Sequence, residues 1–242
     1  MIWAYLLFLL LGLTFGSFGN VIILRLPHSK RLDGRSHCPR CKAELAVLEL
    51  IPVISFLWLR GRCAHCHKPI SLQYPLVEAA SALLFLLALH LSSDPVLAAV
   101  LALILWLLLL ITVIDAHTRM IPDVLNLPLL ILCVAQAIFA GHIDILGPLL
   151  LGAFFGGQWL VSKGKWVGSG DILLAISIGL LLGGLSRSLF ALALAYVIGG
   201  IVASIFLLMG IADRRSHIAF APFLTSATLL TLLFGDALLG AF

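Results

Sequence analysis

The chain has 242 residues, of which 62% are hydrophobic and only 11% charged, with a mean hydropathy of +1.17. A soluble domain carries about 25% charged residues, so there is too little polar side chain to cover a globule, and a water-soluble protein is excluded. The net charge of +4 suits a membrane protein facing anionic lipid headgroups, and implies no nucleic acid partner.

The first apolar run, Ile2 to Leu24, is long enough to span, since a bilayer core takes about 20 apolar residues. A cleaved signal peptide would start with a basic segment and a shorter apolar stretch. Met1-Ile2-Trp3 carries no charge, so a retained first span is expected. The basic loop that follows holds Cys38-Pro39-Arg40-Cys41 and Cys63-Ala64-His65-Cys66, two C-x2-C pairs separated by 21 residues. Two such pairs can close a tetrahedral thiolate site for Zn²⁺. The separation is one residue beyond the usual window, which a short insert absorbs. A redox-active dithiol, or four unconnected thiols, is the alternative. His37, His65 and His67 read as flanking residues, because Cys38, Cys41, Cys63 and Cys66 already fill the coordination sphere. So small a loop cannot bury a sizeable core, and a metal staple supplies what it lacks. Between the pairs, Val47 to Leu59 is apolar but too short to span and contains Pro52. It can lie in the membrane interface or pack under the zinc module, and Trp58 and Arg60 suit a headgroup position.

Further apolar runs at 75–91, 97–114, 124–140, 146–162, 172–185, 188–210 and 218–241 bring the expectation to eight spans. The fold class is then an all-α polytopic membrane protein with a small cytoplasmic zinc-binding loop module. By position, 1–27 is the first helix, 28–73 the loop module and 74–242 the membrane-embedded core of about seven helices. Cys133, alone in the fourth span, reads as a small buried apolar residue. Eight of the 15 Lys and Arg fall in the zinc loop, with Arg25 just before it. Arg119, Lys163, Lys165, Arg214 and Arg215 fall on the same side of an eight-span topology. Only Arg187 falls opposite, with Asp94, Asp144 and Asp236. The excess of cations marks the cytoplasmic side, so the loop is expected inside and both termini outside. A reducing cytoplasm favours metal over disulfide at the paired cysteines.

Carboxylates at membrane boundaries are costly and usually functional. Asp115 closes the third span and Asp171 opens the sixth in Gly168-Ser169-Gly170-Asp171, both at the cytoplasmic edge. Two carboxylates around a shared proton are the machinery of aspartyl proteolysis, one activating water and the other polarising the peptide carbonyl. The glycines before Asp171 would let backbone approach the substrate. The plainer alternatives are an N-cap role for Asp171 and a pairing of Asp115 with Arg119 one turn on. Asp123, after Ile121-Pro122, reads as a cap for the fourth span or a further contributor to the site.

These residues together resemble the bacterial type IV prepilin peptidases, or leader peptidase/N-methyltransferases, of the GxGD intramembrane aspartyl protease type. Phe15-Gly16-Ser17-Phe18-Gly19-Asn20-Val21 with Arg25-Leu26-Pro27 looks like the family's opening segment. The two cysteine pairs, Glu49 to Ser55, Arg60 to Cys63, Tyr74 to Glu78, Ile114 to Asp123 and Gly168 to Asp171 follow in the family's order. The resemblance covers nearly the whole chain. It implies a bacterial inner-membrane aspartic endopeptidase with Asp115 and Asp171 catalytic. Such an enzyme cuts the basic leader from prepilin or pseudopilin substrates of type IV pilus or type II secretion systems. It also implies N-methylation of the new N-terminus with S-adenosylmethionine. Ala219-Phe220-Ala221-Pro222-Phe223-Leu224 departs from the family's PFGPFLA-like run by losing its glycine, and no lysine follows Asp171-Ile172.

No glycine-rich nucleotide fold is present, so the methyl donor would bind at the loop or bundle mouth. Glu78, one turn inside the second span, is a candidate to hold an amine or sulfonium, or is a structural carboxyl paired with an Arg or Tyr74. Asn20 and Arg25 are candidates of the same kind, or anchors of the first helix. A transporter with intramembrane acids, a dithiol oxidoreductase and a zinc-bearing membrane docking protein are the rival readings. The sequence sets no oligomeric state.

Overall fold

The computed structural model describes residues 2–141, 143–211, 213 and 218–239. Arg214 and Arg215, and residues 240 and 241 of the eighth expected span, lie outside these. Among the described residues the chain is helical, with no strand. Its helices are α1 (Ile2–Arg25), α2 (Ile54–Trp58), α3 (Gln73–Leu91), α4 (Pro95–Thr118), α5 (Asp123–Phe139), α6 (Leu146–Ser162), α7 (Ser169–Leu182), α8 (Leu185–Leu208) and α9 (Ala221–Leu239). Each expected apolar run is a helix, and α2 is the short apolar piece inside the zinc loop. By length and composition α1, α3, α4 and α8 are able to cross a membrane, while α5, α6, α7 and the Ala221–Gly235 stretch of α9 are apolar but shorter. The protein is a multi-pass membrane protein.

Several boundaries shift by a few residues from the sequence expectation, and two of these shifts have clear local reasons. The third span continues through Asp115 to Thr118 and stops where Arg119 turns left-handed at φ 56°. The sixth stops at Leu182, because Gly183 adopts φ 59° and caps the helix, as glycine does without Cβ strain.

The chain forms two compact units, Met1–Leu110 and Ile111–Phe242, with the division inside α4. In the first, α1 packs on α3 through a glycine seam. A Cβ on Gly12 would lie 2.6 Å from the Ala82 Cα, and one on Gly16 2.6 Å from the Glu78 Cα. Lipid gives apolar side chains no drive to associate, so helices in it rely on such close backbone packing. Trp106 of α4 adds a direct tie, its indole N–H donating to the Phe15 carbonyl at 3.0 Å.

In the second unit, α7 packs against α5 and α6, and α8 against α9. Gly179 is the close-approach point, since a Cβ there would meet the Pro148 Cα at 2.6 Å. An aromatic cluster joins α6, α8 and the start of α9. The Phe220 ring lies 5.6 Å from Phe155, 5.2 Å from Tyr196 and 6.3 Å from Phe223. It fixes the segment that leads into the site.

Candidate active site

Asp115 and Asp171 come from different helices of the second unit and lie within electrostatic range of each other. Asp115, on the last turn of α4, is only 5% exposed. Its Oδ2 accepts the Ala221 backbone N–H at 3.0 Å, and α4 is tied to α9 by a 2.6 Å Thr112–Thr225 hydroxyl contact. Ala221 is the residue at which the resemblance leads one to expect a glycine. It is fully buried, so its Cβ is accommodated while its N–H holds the carboxylate. Asp171 is half-buried, and its Oδ2 accepts the Gly168 N–H at 2.9 Å. It caps α7 from the third helical position, not as the N-cap, which is Gly168. Among the described residues no cation lies within ion-pairing distance of either carboxylate. Arg119 meets Asp115 only through its backbone N–H, at 2.7 Å from the Asp115 carbonyl.

Of the glycines in the Asp171 segment, Gly170 serves the chain's own packing. A Cβ on Gly170 would sit 2.9 Å from the Ile121 Cβ, so the absent side chain lets α7 close on the loop that follows Asp115. Asp123 is exposed and is the first residue of α5, after Pro122 at the N-cap. It favours the helix through the macrodipole but is not its N-cap. Asn126 was not singled out by its sequence and is fully buried. Its Nδ2 donates to the Gly170 carbonyl at 2.8 Å, fixing the peptide next to Asp171, while its Oδ1 has no partner. The signal was available as a polar residue inside an apolar helical run.

A second polar cluster lies in the first unit. Glu78 is buried and its Oε2 accepts the Val53 N–H at 2.7 Å, with the Ser17 side chain as a further partner. Its partners are thus backbone and hydroxyl, not the Arg or Tyr74 expected. Asn20 donates to the Tyr74 carbonyl at 3.0 Å and keeps a buried, unpartnered Oδ1. Arg25 turns to the loop, its guanidinium donating to the Arg31 and Asp33 carbonyls at 3.2 and 2.7 Å.

The sulfurs of Cys38, Cys41, Cys63 and Cys66 all lie within 4.8 Å of one another, and Cys38 and Cys66 are 3.9 Å apart. A tetrahedral Zn–S bond of about 2.3 Å separates sulfurs by about 3.8 Å, so the donor set fits a zinc ion. The two knuckles have one form. Cys38 N–H donates to Ala43 and Lys42 N–H to Cys38, as Cys63 does to Lys68 and His67 to Cys63, all at 2.9 Å. Leu45 to Ser36 at 3.0 Å and Ile70 to Gly61 at 2.8 Å close each outside. Lys42 and His67 take the same left-handed turn, φ 63° and 56°. The Cys41 backbone N–H directed at its sulfur holds the Cys38 thiol down at about 6, against burial, which opposes it. His65 faces Glu49 at 3.5 Å and His37 the Arg35 carbonyl, so both flank the four thiols. Cys133 is buried and apart from them in α5.

Residues 10–91 match the family model of the bacterial peptidase A24 N-terminal domain, and residues 101–204 that of the type IV leader peptidase family. Three relatives each named prepilin leader peptidase/N-methyltransferase are similar along most of their length. That of Aeromonas hydrophila is 33% identical, over 98% of this chain and 93% of its own. That of Klebsiella pneumoniae is 37% identical, over 75% and 86%. That of Pseudomonas aeruginosa is 34% identical, over 94% and 89%. No solved structure gives a significant match. Since the two family models cover residues 10–91 and 101–204 and relatives of 33–37% identity span most of the chain, the chain belongs to the type IV leader peptidase family.

Proposed function

We propose that this protein is a prepilin leader peptidase of the bacterial inner membrane. In this reading it cleaves the leader of type IV prepilins or pseudopilins at the cytoplasmic face and N-methylates the exposed N-terminus with S-adenosylmethionine. The observation that carries the peptidase reading is the Asp115–Asp171 pair. Two acids from separate helices lie within electrostatic range of each other, each held by a backbone N–H, with no cation among the described residues in ion-pairing distance.

In the proposed reaction the two carboxylates share one proton. The ionised one takes a proton from water, whose oxygen attacks the scissile carbonyl carbon, while the protonated one donates to the carbonyl oxygen. Collapse of the tetrahedral species breaks the C–N bond, and a carboxyl proton passes to the leaving amine. The buried backbone contacts of Asp115 keep its geometry fixed, so little reorganisation is needed at the moment of attack. By role the chain divides into a first helix (1–27), the zinc-module loop (28–73) and the membrane core (74–242). Zinc, when bound, staples the loop. Glu78 and Asn20 are the candidates for a cationic group of the methyl donor or the new amine, with Arg25 shaping the neighbouring loop. The cytoplasmic placement rests on the cation bias, with 14 of the 15 Lys and Arg on one side of an eight-span topology.

The test is mass spectrometry of a prepilin incubated with detergent-purified protein and S-adenosylmethionine. Loss of the leader and a gain of about 14 Da on the mature chain are expected. Asp115→Asn and Asp171→Asn are expected to abolish cleavage with melting temperature unchanged. Full cleavage by either variant would sink the assignment of that residue, and cleavage without added mass would remove the methyltransferase half.

A further inference from the structure

The apolar stretch inside the zinc loop takes no part in the reaction above, yet it is far from buried. Val47, Leu48, Ile54, Leu57 and Trp58 are exposed, Val47 at 81% and Trp58 at 78%. Clustered exposed apolar side chains of this size mark a contact surface. The depth of this one is set by a pin. Val53 donates to Glu78, the sixth residue of the spanning helix α3, which lies about 7–8 Å along the axis from the helix start. The stretch therefore sits level with the second turn of α3, beside its apolar run.

Immediately after Trp58 the chain reverses through Arg60 and Gly61, both at positive φ. It opens a cavity of about 660 Å³ lined by Leu59, Arg60, Arg62, Cys63, Ala64 and His67. The cavity has two guanidiniums and no acid. Arg31 and Arg35 elsewhere in the loop pair with Asp33 and Glu44. Among the described residues Arg60 and Arg62 have neither an ion-pair nor a hydrogen-bond partner for their side chains. A guanidinium stays charged at any working pH and matches phosphate with its fork of N–H donors.

We propose that this face of the zinc module is a lipid-docking surface. Its apolar side chains seat in the headgroup–acyl boundary, and Arg60 and Arg62 receive the phosphate of an anionic lipid headgroup. Charge and depth together select this occupant. An anionic phospholipid offers a negative phosphodiester directly beside hydrocarbon, at the level where the Glu78 pin holds the segment. The surface is independent of the carboxylate pair, so its test does not depend on cleavage.

The full-length, zinc-loaded protein would be placed in nanodiscs of phosphatidylcholine with brominated acyl chains, with and without 30% phosphatidylglycerol. The emission lost in Trp58→Phe isolates the signal of Trp58. That signal is expected to be quenched by the bromines, and more strongly when phosphatidylglycerol is present. In the Arg60→Gln/Arg62→Gln protein, checked for full zinc content, the phosphatidylglycerol fraction for half-maximal enhancement should rise about fivefold or more. Arg60→Lys/Arg62→Lys should restore most of it. Unquenched Trp58 in both membranes would overturn the docking, and would point to a protein partner or water on this face. Quenching indifferent to phosphatidylglycerol would overturn the headgroup site. Enhancement by inorganic phosphate in neutral nanodiscs would overturn the lipid as its source.

Discussion

Val53 takes φ 62° and ψ −47°, with the Ile54 N–H turned back to the Pro52 carbonyl at 2.6 Å. A γ-turn of this hand is strained, and more so for a β-branched residue, at a cost of about 1–3 kcal/mol. The hydrogen bond to buried Glu78 contributes about 1–3 kcal/mol and holds the turn in place. Glu78→Ala should therefore release the loop, seen as tenfold or faster proteolysis within 47–60, while Glu78→Gln keeps an acceptor and loses less. Val53→Gly removes the strain at a smaller entropic cost, so the loop should be protected as well as or better than before. Faster proteolysis in Val53→Gly would contradict the strain. Asn126→Ala frees the Gly170 carbonyl beside Asp171. Cleavage should fall about tenfold to a hundredfold through misplacement, with little change in melting temperature. The acids were legible in the sequence because charge in so apolar a chain stands out. The Val53–Glu78 bond was not, because it joins residues 25 positions apart and one partner is a backbone group common to every residue.

At the scale of elements, helix packing turns on single atoms. Gly16→Leu should separate α1 from α3 and cost about 1–3 kcal/mol or more, read as a lower melting temperature in detergent. Gly156→Ala on α6 meets nothing within 4 Å and should be neutral or gain up to about 1 kcal/mol. Equal losses in both would refute the seam. The positions of the helices could be read from apolar run length alone. The seam could not, because glycines recur throughout the chain and only the fold shows which ones meet a neighbouring backbone. The zinc knuckles were legible as pairs, while their identical turns rest on Lys42 and His67, residues with no sequence signal for a left-handed conformation. Any one Cys→Ser change should cost the bound zinc, measured as metal per chain by elemental analysis. The folded Cys38 thiol lies below its ordinary range, so its thiolate supports the module fully above that range. This support is lost as pH falls through about 6. Metal binding needs all four thiols deprotonated, so metal retention should drop on acidification, and retention unchanged to pH 4 would refute thiolate ligation.

For the whole molecule, composition alone settled that lipid is the solvent, and the cation bias gives the orientation a direct test. In intact cells the zinc-loop cysteines should resist an impermeant thiol reagent, even with the metal chelated, and should react in inside-out vesicles. Labelling from outside would reverse the proposed topology. The apolar runs at 124–140, 146–162 and 172–185 are already short in the sequence, and the helices α5, α6 and α7 of the second unit keep those lengths. At about 1.5 Å per residue, the 17 residues of α5 and α6 and the 14 of α7 reach only about 21–26 Å. A hydrocarbon core is about 30 Å thick. A bilayer meeting such helices must thin or let their ends stay wet. The shortfall thus addresses a need of any hydrolase in lipid, the supply of water. If Asp115 and Asp171 do the chemistry, solvent reaches them by a dip in the membrane surface, with no need for a dedicated channel. Activity should accordingly decline as the acyl chains of the surrounding lipid are lengthened.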